Sequence, residues 1–352
     1  DQRIYPLQKQ QGYHEAEPFM KSGDILNEMV RYITQTTAAV KYIHSEVGSI
    51  ETIHSNKDEI NGKSAEQLEV EFLAKPVKEM ADALVLARWL IRNVAHQYGC
   101  VATFTPKLEE GVAGNGFHFH LELKRDGKNA MVGSNGQLSE SALHLIGGLC
   151  EYADSLMAFG NTVSSSYMRL VPDQEAPTRI FWSDHDRSAM IRVPLGWSNL
   201  NHLARVINPQ EKTRMENPES RQTVELRTPD GSALIHLLLA GVVMAADWGV
   251  NNKNSLKTAE KFYVRADRPK TKDDFKSFPE LPGSCVESSR ILLKKRALYE
   301  RENVFPPSVI DYAAKLLQEE KDEKLSKKLK GLSGKERLRE VRKIMHKDLH
   351  RH

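Results

Sequence analysis

One segment constrains this chain more than any other. Ala233 to Trp248 (ALIHLLLAGVVMAADW) carries apolar side chains nearly all the way round a helix. Such a helix needs neighbours on every side, so the chain must wrap it in a substantial core. It is too short for a bilayer, which takes ~20 consecutive apolar residues, and no other stretch reaches that length, so no membrane partner is expected. With 352 residues the chain can form one large domain or two ordinary ones. Its 21 Gly and 15 Pro exclude a collagen-like chain, and 40% hydrophobic residues exclude a disordered one. Fifty basic against 47 acidic residues give a net charge of +3, too even to imply nucleic acid as a partner. Cys100, Cys150 and Cys285 are scattered, odd in number and match no zinc spacing. They read as buried thiols in a reducing, cytoplasmic setting.

Periodicity gives a mixed order of elements. Asp24 to Tyr42 reads as a helix running into a strand, with Ile25, Met29 and Ile33 at helical spacing and Val40 to Ile43 alternating. Residues 49–65 are polar and read as a long loop or insert, followed by an alternating strand at Leu68 to Phe72. Ala81 to Tyr98 and Ser139 to Phe159 are amphipathic helices. Strands are predicted at 101–105, Phe117 to Leu123, 179–182, 188–193 and 223–227, with a glycine-rich turn at 111–116. From Pro306 onward the pattern is helical, charged and net basic, which most simply describes a solvated face. The first residues show no positive-then-apolar order and no initiator Met. They read as part of something longer, or as a processed start, rather than a signal peptide.

Four patches could carry chemistry. His118 and His120 are two apart on a strand directly after GVAGNG, so both rings can face one cleft, although a solvated strand face shows the same pattern. Glu46, Glu69 and Glu225 stand in β-rich stretches where an acid is costly unless paired or metal-bound; an exposed sheet face would also accept each. Arg169, Arg187, Arg192 and Arg227 sit in apolar strand-like segments and suit an anionic substrate, or structural salt bridges. Glu175 lies in a loop flanked by proline, a place for a lid.

The strings GNGFHFHLEL, LSESALHLIGGLCEYADSLMAFGNTVSSSYMRLVPDQEAP, RSAMIRVP and VELRTPDGSA occur in that order. Together they resemble the catalytic domain of glutamine synthetase, whose usual forms are GxGMHxHxSL, NSYKRLVPGYEAP, RNRSAxIRIP and IExRxPD. Upstream, HSEVG (44–48) is similar to the family's HHEVAPGQ stretch and EQLEVEF (66–72) to its GQHEIDF stretch, here separated by an insert that the usual forms lack. The resemblance runs from about Gly12 into the tail.

It implies an α+β fold: a curved, mainly antiparallel sheet packed with helices over residues 1–305, and a charged helical tail (306–352) packing on the same domain. It also implies an N-terminal β-grasp domain and an ExE metal strand upstream of Asp1, and a ring-shaped homo-oligomer for the full-length protein. Carried over by position, Glu46 and Glu69 would hold one Mg2+ or Mn2+, and His118 with Glu225 a second that bridges ATP phosphates. His120 would contact the nucleotide, and Arg192 and Arg221 its phosphates. Arg169, Arg227 and the backbone at Gly114 would hold glutamate. Arg187 would stabilise the phosphoryl in transfer, and Glu175 would guard the site and take a proton from ammonium. The implied reaction joins glutamate to ammonia through an acyl phosphate made from ATP. Ala113, Glu122, His185, Thr223 and Leu234 depart from the family's usual residues. Two alternatives therefore stand beside that reaction: a ligase of the same family using another amine, and a non-catalytic homologue that binds nucleotide or partners.

Overall fold

The computed structural model describes residues 4–6, 11–171, 176–196, 200–210, 212, 221–265 and 275–352. Helix α1 (Gly23–Thr37) leads into strand β1 (Val40–Ile50), which pairs antiparallel with β2 (Ala65–Phe72). The long connection 51–64 buries Ile53 and Ile60. Helix α2 (Val77–Gln97) follows, then β3 (Phe119–Leu121) and a small hairpin of β4 (Lys124–Arg125) and β5 (Lys128–Asn129). That hairpin turns at Asp126–Gly127, both at positive φ, a dipeptide suited to the tight turn.

Helix α3 (Glu140–Gly160) starts at Ser139, whose hydroxyl accepts from the Ala142 N–H at 3.1 Å. After α4 (Ser166–Arg169) come β6 (Trp182–Asp184), β7 (Ile191–Val193), α5 (Leu200–Ile207) and β8 (Val224–Leu226). Helix α6 (Ile235–Asn251) is the all-apolar segment; α7 (Ser255–Lys261), α8 (Cys285–Lys294) and α9 (Ala297–Glu300) pack around it and α3. The tail forms α10 (Pro307–Glu319), α11 (Leu325–Lys330) and α12 (Gly334–Met345).

The core is built on α3 crossing α6. The two approach so closely that a Cβ on Gly148 would lie 1.9 Å from the Ala245 carbonyl oxygen, and one on Gly249 2.1 Å from that of His144. The four-stranded sheet, ordered β3-β8-β7-β6, lies on this helical layer. Its pairs are antiparallel except β6 with β7, which run parallel. Phe119, Val224, Leu226, Ile191 and Val193 point into the core. By the two-residue period of a strand, His118, His120, Glu225, Arg227 and Arg192 share the opposite face.

The fold is therefore α+β, with small mixed sheets among helices. Residues 101–105 form no strand: the segment runs extended while Thr105 and Asn115 bond to neighbouring loops and the tail. The strands expected at 117–123, 188–193 and 223–227 are shorter than the alternation suggests. Cys150 and Cys285 are buried and Cys100 is exposed; all three are free thiols. Among the described residues, no helix is long and apolar enough to cross a membrane.

The tail is fastened to the body. Glu320 accepts from the N–H and hydroxyl of Ser164 (3.0 and 2.6 Å) and pairs with Lys347 at 2.7 Å. Leu349 packs on Ile53 and Ile60 of the 51–64 connection. His346 is held by Ser55 and the Leu108 carbonyl, each at 2.9 Å.

Candidate active site

Glu225, in the middle of β8, is the hub. Its cross-strand neighbours are His120 on β3 and Arg192 on β7, so register alone brings the three together on one face. Its carboxylate is only 2% exposed. Arg227 Nη1 donates to Oε1 at 2.6 Å, His118 Nδ1 lies 3.2 Å from the same oxygen, and Arg192 Nε forms an ion pair with Oε2 at 2.5 Å. Burial pushes the Glu225 pKa up, but the His118 hydrogen bond and the Arg227 charge outweigh it and pull it down to about 2. Loss of hydration lowers His118 to about 4, so its ring is neutral at pH 7.

The glycine-rich turn makes room for this cluster. A Cβ on Gly116 would sit 2.6 Å from His118 Nε2 and 2.9 Å from Arg169 Nη2; one on Gly114 would sit 2.5 Å from the Pro106 carbonyl oxygen. Arg169 is buried and donates to the carbonyls of Thr228 (3.0 Å) and Arg227 (3.2 Å). Burial, partly offset by Asp230, brings its pKa down to about 10.

A second cluster lies on the β1–β2 pair. His44 is the direct cross-strand partner of Glu69, and Glu46 is two residues along from His44. Their ligand atoms all fall within 4.8 Å of one another, with His44 Nδ1 3.7 Å from Glu46 and Nε2 3.7 Å from Glu69. Glu69 is pushed up to about 7 by desolvation, then by the hydrogen bond and charge of Glu46, with Glu71 and Glu225 adding to it. Because 47% of the side chain remains exposed, the crowding of negative charge is the more telling cause. The influence of Glu225 on Glu69, and of His120 on Glu71, places the two clusters within electrostatic reach of each other.

The second cluster converges three ligand atoms as a hard divalent cation requires. At the hub, His118 Nδ1 and Glu225 Oε1 are 3.2 Å apart and joined by a hydrogen bond that a cation between them would replace. Glu225 Oε2 is buried against Arg192 Nε at 2.5 Å, an ion pair whose angle falls short of a good hydrogen bond. At the second cluster, the crowded carboxylates are what a bound cation would relieve.

The expected site residues divide as follows. The structure joins His118, Glu225, Arg192 and Arg227 in one network, with Arg169 bonded to its backbone, and brings Glu46 to Glu69. The Arg187 carbonyl accepts from Arg227 Nε at 3.1 Å, while its side chain is exposed. His120 lies on the shared face and bonds Thr223 Oγ1 at 3.1 Å. The Gly114 carbonyl accepts from Gln67 at 3.0 Å, a link between the β1–β2 pair and the glycine-rich turn. Arg221 is exposed ahead of β8, and among the described residues nothing bonds it to Glu225. Glu175 lies outside the described residues. His44 was not anticipated; its two-residue spacing from Glu46 in HSEVG was the available signal.

The profile of the glutamine synthetase catalytic domain matches residues 2–328. Glutamine synthetase of Methylococcus capsulatus is 33% identical over 303 residues, covering 85% of this chain and 56% of that protein. The Escherichia coli enzyme is 31% identical over 314 residues, covering 88% and 58%. The cryo-EM structure of Plasmodium falciparum glutamine synthetase superposes with a TM-score of 0.65 at 22% identity, over 92% of this chain and 63% of that one. The chain thus spans well under two thirds of the length of the curated relatives it matches. With the profile matched over nearly all of its length, it belongs to the glutamine synthetase family and carries the catalytic-domain portion of it.

Proposed function

We propose that this chain provides the metal- and phosphate-handling surface of an ATP-dependent carboxylate–amine ligase, with glutamate and ammonia as the substrates. The observation that carries the reading is the Glu225 hub: a buried carboxylate shared by His118, Arg192 and Arg227, within electrostatic reach of a second set of His44, Glu46 and Glu69. In this reading Glu46 and Glu69, with His44, hold one Mg2+ or Mn2+, and His118 with Glu225 holds another. Divalent ions there would neutralise phosphate oxygens during transfer to a carboxylate.

The protein's own groups do the remaining work. Glu225 orients Arg192 and Arg227, so their guanidiniums are positioned before an anion arrives. Arg192, with Arg221, faces phosphate, and Arg187 on the adjoining turn supports the phosphoryl group in transfer. Arg169 fixes the backbone around Thr228 and, with Arg227 and the Gly114 backbone, frames the place for glutamate. His118, neutral at pH 7, can bind a cation without first losing a proton. His120 takes the nucleotide side, and Glu175 is assigned the proton from ammonium.

We take residues 1–305 as the catalytic domain and 306–352 as a tail serving that same domain. The β1–β2 pair and the four-stranded sheet are read as parts of one curved surface, a reading supported by the Gln67 bonds to Gly114 and Asn115 (3.0 and 2.9 Å). A cytoplasmic setting and a ring-shaped assembly of the full-length protein complete the proposal.

The test pairs binding with turnover. Free Mn2+ would be followed by its electron paramagnetic resonance signal as protein is added, for the parent and for His44→Ala and Glu69→Gln. Binding in the parent, weakened several-fold in each variant, is expected. Phosphate release from ATP would then be measured with and without glutamate and ammonium. Mn2+ binding unaffected by both variants would sink the metal assignment; glutamate-independent ATP hydrolysis alone would sink the substrate assignment.

A further inference from the structure

The 51–64 connection and the last helix border an open cleft of about 460 Å3 that shares no residue with either cluster of the candidate active site. One wall is α12, which contributes Lys335, Arg339, Arg342 and Lys343; the other is the connection, with His54, Asn56 and Asn61. The chain as a whole is nearly balanced in charge, yet among the described residues no carboxylate lines this cleft.

The charge is only partly compensated from outside. Arg342 Nε pairs with Glu109 at 2.8 Å, and Lys343 with Glu340 at 2.6 Å. Arg337, one position off the lining stripe, takes Glu110. Among the described residues neither Lys335 nor Arg339 forms a salt bridge, although Glu340 lies within electrostatic reach of Arg339. Lys335, Arg339 and Lys343 follow one another at four-residue intervals, so like charges sit one turn apart, an arrangement that weakens a helix unless an anion intervenes.

The two walls are also fixed relative to each other, although Lys335, Arg339, His54, Asn56 and Asn61 are themselves exposed. His346, directly after α12, is bonded to Ser55 of the connection and to Leu108, and Ile53 and Ile60 pack on Leu349. The connection is itself folded for this role: Asn61 Oδ1 accepts from the Ser55 N–H at 3.0 Å, which leaves its amide group as a donor.

We propose that this cleft binds a phosphomonoester. Lys335 and Arg339, neither of them in a salt bridge, match one phosphate group, which carries about −1.5 to −2 at neutral pH. A guanidinium and an ammonium one helical turn apart can share its oxygens, the arginine by its planar fork. His54, Asn56 and the Asn61 amide supply polar contacts on the opposite wall, and the volume falls within the range of small-molecule sites. The site joins the insert to the tail, so its occupant would brace the two elements together.

The test uses the whole 352-residue chain, free of metal, with glycerol 3-phosphate as the soluble probe in isothermal titration calorimetry. A lipid with the same headgroup chemistry is tested separately, by sedimentation with phosphatidylcholine vesicles containing phosphatidic acid. We expect saturable binding to the parent, at least tenfold weaker in Lys335→Ala/Arg339→Ala and unchanged in Arg192→Ala. His54→Glu, which leaves α12 intact and puts an anion on the far wall, should weaken binding comparably and guards against a folding defect in the double variant. Vesicle binding alone, lost in both variants, would keep the site and name a lipid as its ligand. The proposal is overturned if the parent binds neither probe saturably, if binding survives both cleft variants, or if it disappears in Arg192→Ala.

Discussion

Replacing Glu225 by Gln tests the hub directly. The substitution keeps size and one acceptor oxygen while removing the charge that two arginines and His118 share. The folded pKa of Glu225, about 2, lies below its ordinary value of 4.5. The ionised carboxylate therefore stabilises the fold fully above pH 4.5, and that contribution is lost as pH falls toward 2. At about 1.4 kcal/mol per pH unit, the interval is worth about 3 kcal/mol. Removing one partner of a buried ion pair costs ~3–5 kcal/mol, and the retained amide oxygen puts this case at the low end. Scaled by the roughly 2–4 °C per kcal/mol of a mid-sized domain, the variant should melt about 6–10 °C below the parent at pH 7. The difference should narrow by more than half by pH 3, as the parent's carboxylate takes up its proton. Differential scanning calorimetry at pH 7, 5 and 3, with and without Mn2+, measures both effects, and the Mn2+-induced rise in Tm should be lost in the variant. An unchanged or higher Tm at pH 7 would show that the arginines do not depend on Glu225, and the network described above would be wrong.

The remaining predictions concern the scaffold. Gly148→Ala should gain ~1 kcal/mol of helix propensity yet lower stability overall by about 1–3 kcal/mol, because its Cβ would lie 1.9 Å from a carbonyl oxygen of α6. A higher Tm in that variant would refute the α3–α6 crossing. Burial lowers the His346 pKa, and its bond to a carbonyl requires Nε2 to carry the proton while Nδ1 accepts from Ser55. The neutral ring therefore stabilises the tail fully above the ordinary histidine value of about 6.5, and this support declines as pH falls below it. The protection of residues 334–349 against hydrogen exchange, taken relative to the slower intrinsic rate at low pH, should fall between pH 7 and pH 5.5, and a Ser55→Ala variant should show part of that loss already at pH 7.

Much of the site was legible because strand periodicity and register act on side chains the sequence names. The two-residue spacing of His118 and His120, and of Glu225 and Arg227, puts each pair on one face. The alternating Val224 and Leu226 reveal which face is buried. What alternation cannot supply is the register between strands distant in sequence: nothing in HSEVG or LEVEF says that His44 will stand opposite Glu69, and so His44 went unnoticed. The helices were legible for the same reason as the apolar Ala233–Trp248 segment, since long stripes average over local exceptions. The strand expected at 101–105 failed because VATFT has the right residues but no neighbouring strand. Its polar groups are taken instead by Asn115 and by the tail, a tertiary choice that no local pattern encodes. The tail's basic run was legible as helix, but not as one wall of a cleft, because the other wall lies nearly 300 residues earlier.

The composition of the hub bears on why it exists. A buried carboxylate with two guanidiniums is an expensive way to fill a sheet face, since a well-packed apolar set of similar volume is often as stable or more so. Its neighbours obey that economy: Phe119, Ile191, Val224 and Leu226 fill the other face with hydrocarbon. One strand position away, the same three strands present His118, Arg192, Glu225 and Arg227. The cost is concentrated where β3, β8 and β7 lie side by side, within electrostatic reach of the crowded carboxylates of β1 and β2. Structural salt bridges would not need a neutral histidine and a glycine that admits both His118 and Arg169 in one place. Both features suit the proposed role of the hub, where perturbed titratable groups gather on one sheet face.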